Sequence, residues 1–96
     1  MELLCHQQRH QTSVVWPEDI DRRLNILVRA AAAAGERTSR AELLAALVAA
    51  AETDPEVLAS LLHNYRRLPA DALAEDHDRS DLPVVRSPGP RRATSS

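Results

Sequence analysis

Hydrophobic and polar positions along the chain change their spacing at a proline. Over residues 11–16, Gln-Thr-Ser-Val-Val-Trp, β-branched and aromatic types cluster, which favours an extended strand. Alternation puts Thr12, Val14 and Trp16 on one face and Gln11, Ser13 and Val15 on the other. Pro17 closes the strand by holding Trp16 extended. No other segment offers a strand to pair with, so the unsatisfied backbone groups imply pairing with a second copy of the chain. Beyond Pro17 the spacing becomes helical. Ile20, Leu24, Leu27, Val28 and Ala31 fall on one stripe and predict a helix to about Ala34. Proline suits its first position, and Glu18, Asp19 and Asp21 suit the positive end of its dipole. Arg22, Arg23 and Arg29 are expected to face outward or flank the stripe, and Gly35 to stop the helix.

Ser39-Arg40-Ala41-Glu42 matches a capping box, with Ser39 as N-cap and Glu42 reaching back. It predicts a second helix from about Arg40 to Glu52, with an apolar face of Leu43, Leu44, Leu47, Val48 and Ala51. At Thr53-Asp54-Pro55-Glu56 the helix breaks and restarts, Asp54 capping and Pro55 leading. A third helix is expected to run to about Leu68, with Val57, Leu58, Leu61, Leu62, Tyr65 and Leu68 on one side. Pro69 ends it, and Asp71 to Glu75 allow one further turn. The pattern divides the chain into a loose arm over 1–10, a strand and two helices over 11–52, and a helical extension over 53–75. The acidic and then Pro/Arg/Ser-rich stretch 76–96 is expected to be disordered.

At 96 residues the chain has room for one small domain. Chains of this size bury little and are marginal alone, so oligomerisation would help. Trp16 and Tyr65 are the only aromatic residues, and Leu and Ala carry the apolar content. Every basic residue except histidine is arginine, which with the abundant alanine resembles a GC-rich bacterial coding bias. The net charge is −2; residues 1–50 hold six arginines and six acids, and residues 51–96 six and eight. Any nucleic-acid affinity must therefore come from local placement of charge rather than from a global field. Cys5 is the one cysteine, so no intrachain disulfide can form and a reducing cytoplasm is the expected compartment. Neither a signal peptide nor a membrane span is expected. Cys5, His6 and His10 lack the further ligands of a tetrahedral metal site, so no metal or cofactor is expected. No nucleophile–base pair, paired carboxylates or glycine-rich phosphate loop suggests an enzyme.

The order of strand, Pro-Glu-Asp helix start, Gly35 turn and Ser39-Arg40-Ala41-Glu42-Leu43 helix start resembles the ribbon-helix-helix family of small bacterial DNA-binding proteins. The matching string begins at Ser13 and covers roughly 40 residues. The resemblance implies a mostly α, intertwined homodimer whose strands pair as an antiparallel ribbon in the major groove. It implies base reading by Gln11, Ser13 and Val15. Phosphate contacts would come from Arg37, Ser39 and Arg40 at the start of the second helix and from Arg9 just before the strand. The dimer core would comprise Val14, Trp16, Ile20, Leu24, Leu43, Leu44 and Leu47. Val15 stands where many members of the family carry a basic residue, and the first helix is several residues longer.

These readings lead to a sequence-specific transcriptional regulator, expected to be a repressor. The alternative is an antitoxin or other protein-interaction dimer, in which the Val57, Leu61 and Tyr65 face of the third helix binds a partner and DNA binding is secondary or absent. For that face, packing on the chain's own domain is the expectation.

Overall fold

The structure is a computed structural model and describes residues 2–85. Helix α1 spans Glu18–Ala33, α2 Arg40–Ala50 and α3 Pro55–Arg66, with short 3₁₀ turns at Leu4–His6 and Ala74–His77. Each helix begins on a local signal, and α1 also ends on one. In α1, Glu18, Asp19 and Asp21 occupy the first turn, with Pro17 as the cap just outside it. Its C-terminus closes with Glu36 N–H donating to Ala31 O and Gly35 N–H to Ala32 O, both at 2.9 Å. This is the paired closure that needs a left-handed residue, and Gly35 supplies it with φ +86°. The Ser39 hydroxyl caps α2 by accepting the Glu42 N–H at 3.1 Å. The Glu42 carboxylate then accepts from the Thr38 hydroxyl at 2.7 Å. At the start of α3, Asp54 accepts the Glu56 N–H at 2.9 Å and Pro55 takes the first turn.

Among the described residues there is no strand. The ribbon-helix-helix fold expected from the sequence is therefore corrected to a three-helix chain with an irregular N-terminal arm. Residues 11–16 are suited to a strand, but a strand is completed by its ladder, and no other segment among the described residues supplies one. Their surroundings reflect this. Val14 and Val15 are exposed, and Trp16 is half-buried, its indole N–H donating to Asp21 of α1 at 3.1 Å. A buried strand core of Val14 and Trp16 is not formed.

The core lies on α1. Leu24, Ile26 and Val28 are its buried apolar residues. Leu24 and Val28 are one turn apart and belong to the stripe read from the sequence. α2 packs along α1, fixed by Arg40, whose guanidinium pairs with the Asp21 carboxylate and also donates to Asn25 Oδ1. Ile26 lies on a different side of α1, between Arg22 and Arg29, one turn away on either side. That side is covered by the segment that follows α3. Arg23 Nε lies 2.8 Å from the carboxylate of Asp76, which is buried. Arg22 donates to His77 Nε2 at 3.2 Å. Arg29 donates to the carbonyls of Arg79, Leu82 and Pro83 at 2.6–2.8 Å. The stretch from Asp76, expected to be disordered, is thus laid against α1 through its described part; residues 86–96 lie outside the described residues. The physical reason is charge: three arginines on one side of α1 attract an acidic segment and saturate its backbone carbonyls.

α3 contacts no other helix. Every residue from 51 to 72 is exposed. The packing of α3 on its own domain, expected from its stripe, is not seen among the described residues. The radius of gyration, 15.8 Å, exceeds the roughly 12 Å of a compact domain of this length.

Candidate functional site

Two surfaces gather the residues singled out by the sequence. The first is a cleft of about 1250 Å³ between the N-terminal arm, the later part of α1 and the start of α2. Arg9, Gln11, Arg37 and Ser39 all line it, together with His10 and the apolar pair Val84 and Val85. The cleft therefore unites one expected base reader with three expected phosphate contacts. Ser13 and Val15 are exposed away from it. Arg40 is engaged elsewhere. Its hydrogen bond, with that of the Trp16 indole, holds the Asp21 carboxyl below the usual aspartate value. The oxygen of Ser39 is occupied by the Glu42 N–H, and the Glu42 carboxylate stands beside it, so the positive end of α2 is partly neutralised from within the chain.

The second surface is apolar. α2, Arg-Ala-Glu-Leu-Leu-Ala-Ala-Leu-Val-Ala-Ala, is apolar on every side after its first turn. Leu43 and Leu44 are half-buried, whereas Leu47 and Val48 are exposed, Val48 at 69%. Along α3 and just past it, Val57, Leu58, Leu61, Leu62, Tyr65 and Leu68 are all exposed, Leu61 at 63%. The expected dimer-core residues are thus divided. Leu24 is buried inside the single chain, Ile20, Leu43 and Leu44 are half-covered, and Val14 and Leu47 are open.

Sequence reasoning missed Ile26, Asp76 and the part played by Arg22, Arg23 and Arg29. The available signal was the juxtaposition of three outward arginines with the acids Glu75, Asp76, Asp78 and Asp81 further along the chain. Among the described residues, no cluster of three or more histidine, cysteine or acidic side chains is arranged to hold a metal. No helix there is long and apolar enough to cross a membrane.

No family model, curated protein or solved structure matches the chain.

Proposed function

We propose that the chain is a helical protein-interaction subunit, with α3 and the open side of α2 as its binding surface. The observation that carries this reading is the apolar row from Val57 to Leu68, which nothing among the described residues covers. A helix that is apolar all round belongs in an interior, and a helix with a continuous apolar side needs something to bury it. Among the described residues, only Leu24, Ile26 and Val28 are buried apolar residues. So small a core gains most from further burial on assembly. A cytoplasmic setting suits the exposed free thiol of Cys5. The test is a photo-crosslinking side chain at position 61 of the full chain, with position 36 in the exposed turn as control. Adducts of discrete mass from position 61 alone support the reading; equal or no labelling at the two positions contradicts it.

A second reading, DNA binding through phosphate contacts, is favoured by the meeting of Arg9, Gln11, Arg37 and Ser39 in one cleft. It requires no ribbon. Fluorescence anisotropy with duplex DNA at two salt concentrations tests it. Salt-sensitive binding lost in Arg9→Ala/Arg37→Ala supports it, and binding indifferent to that double change removes it.

A further inference from the structure

We propose that the side of α1 bearing Arg22, Arg23 and Arg29 is a docking site for an acidic, non-helical peptide of a partner protein, and that residues 76–83 are a strap of the chain's own that fills it until such a peptide displaces it. The site lies apart from the α3 surface and does not depend on it. Its outline comes from α1. Arg22, Arg23, Ile26 and Arg29 fall within about a third of the helix circumference and within about 10 Å along its axis. They make one patch, three guanidiniums around an apolar side chain.

The strap answers this patch group by group. Asp76 brings a carboxylate to Arg23 and His77 a ring nitrogen to Arg22, and the carbonyls of Arg79, Leu82 and Pro83 converge on Arg29. Ile26 is buried on the same side. The patch thus selects one acid and, at Arg29, main-chain oxygens alone. Any polypeptide carries such carbonyls, whereas a phosphodiester chain has none and offers no apolar group to Ile26. The charge agrees: Glu75, Asp76, Asp78 and Asp81 lie in or beside the strap against Arg79, so acidic character is what the arginines attract.

Two features make the strap a replaceable occupant. The first is its tether. Residues 51–72 are all exposed and α3 contacts no other helix, so the strap can leave without pulling another packed element after it. The second is the fit of its buried charge. Asp76 is 5% exposed. Its Oδ2 and Arg23 Nε lie 2.8 Å apart and are buried, yet neither has a hydrogen-bond partner among the described residues: the N–H and the oxygen are close but not aligned. Such a pair recovers less of its desolvation cost than an aligned one, so a peptide that seats its carboxylate squarely displaces the strap. Until then the tethered occupant lowers the apparent affinity for a free peptide by the fraction of chains in which the strap is off.

The test uses the full chain and, as probe, a fluorescent peptide with the sequence of residues 74–85, capped at both ends. Asp76→Lys sets like charges together at Arg23, which ejects the strap and leaves the patch intact. By fluorescence anisotropy that variant should bind the peptide roughly tenfold or more tightly than the natural chain does. Adding Arg23→Met and Arg29→Met to it should abolish the binding. In the isotope-labelled natural chain, peptide at about millimolar concentration should accelerate amide exchange of the chain's own residues 76–85 while Leu24 and Val28 stay protected, which a general loosening of α1 would not do. Equal or no binding in the natural chain and Asp76→Lys, or binding that survives the loss of both arginines, overturns the proposal. If Asp76→Lys opens Leu24 and Val28 to exchange, the natural chain decides alone: faster exchange of residues 76–85 supports the proposal and unchanged exchange overturns it. Duplex DNA that displaces the probe at a lower concentration than unlabelled peptide overturns the peptide assignment and makes the patch a phosphate site.

Discussion

α1 and α3 each carry an apolar stripe beside charged side chains, yet the chain treats them in opposite ways. α1 is covered on two sides, by α2 and by the segment after α3, and holds all three buried apolar residues. Among the described residues, α3 is covered on none. Stripe and caps are enough to make both into helices; whether a helix joins the core depends on side chains elsewhere that can hold a neighbour in place. α1 has them in Asp21, Arg23 and Arg29, which reach Arg40, Asp76 and the carbonyls near Pro83. α3 has its charges at its ends, and among the described residues no side chain forms an ion pair with them. The difference marks α1 as the scaffold and α3 as the surface offered outward.

The contrast is broken most severely at Leu24. Truncation to alanine removes a buried side chain and leaves a cavity, at a cost of about 3 kcal/mol, so chemical denaturation of Leu24→Ala should show a chain largely unfolded in dilute solution. Leu61→Ala, measured at the same low concentration, should shift the midpoint by less than about 0.5 kcal/mol. Next in size is Arg23→Met. It strands the buried Asp76 carboxylate without its countercharge, which costs about 2 kcal/mol, below the range for a fully buried pair because Arg23 itself is partly exposed. Hydrogen exchange of residues 76–85 should accelerate in that variant while α3 exchanges as before.

The capping residues sharpen the same comparison at a smaller scale. Ser39→Ala and Asp54→Ala each remove one cap worth about 1 kcal/mol. In Ser39→Ala the loss should appear in the cooperative unfolding midpoint, because α2 packs on α1. In Asp54→Ala it should appear as reduced helicity by circular dichroism with the midpoint unmoved, because α3 unfolds independently of that core. Acid gives the smallest effect. Arg40 and Trp16 lower the pKa of Asp21, and Arg79 lowers that of Asp81. A carboxyl with a depressed folded pKa stabilises the fold above its unfolded value and loses that contribution as pH falls through the lower, folded one. Stability should therefore decline as pH drops below the ordinary aspartate value of 3.8. Asp21→Asn should make the decline shallower in a series of denaturation curves.

The helices were legible in the sequence because their signals are local. Gly35, Ser39, Asp54 and Pro55 each act on groups within a few residues, and the ends they set are those found. Residues 11–16 were misleading for the opposite reason: β-branched composition describes a preference, while a strand exists only with its neighbour. The stretch from Asp76 read as disordered because its composition is acidic and then rich in Pro, Arg and Ser. Its order comes from arginines some fifty residues earlier, a pairing that no local window contains. Of the candidate site residues, Arg37 and Ser39 were placed by the helix start at Ser39, whereas the approach of Arg9 and Gln11 to them depends on how the N-terminal arm lies against α1 and α2. Arg40 turned inward because Asp21 and Asn25 stand opposite it, which depends on how α2 docks. The apolar face of α3 was plain in the sequence, but its lack of cover within the chain was not.

The central claim is that α3 is open in the single chain and offered to a partner. It is tested most directly by amide hydrogen exchange of residues 55–68 in dilute solution, with α1 as the internal reference. Protection of α3 should be weak there, while that of Leu24, Ile26 and Val28 in α1 is much stronger. Protection of α3 as strong as that of α1 would contradict the account, because it would mean that the chain covers this helix by itself.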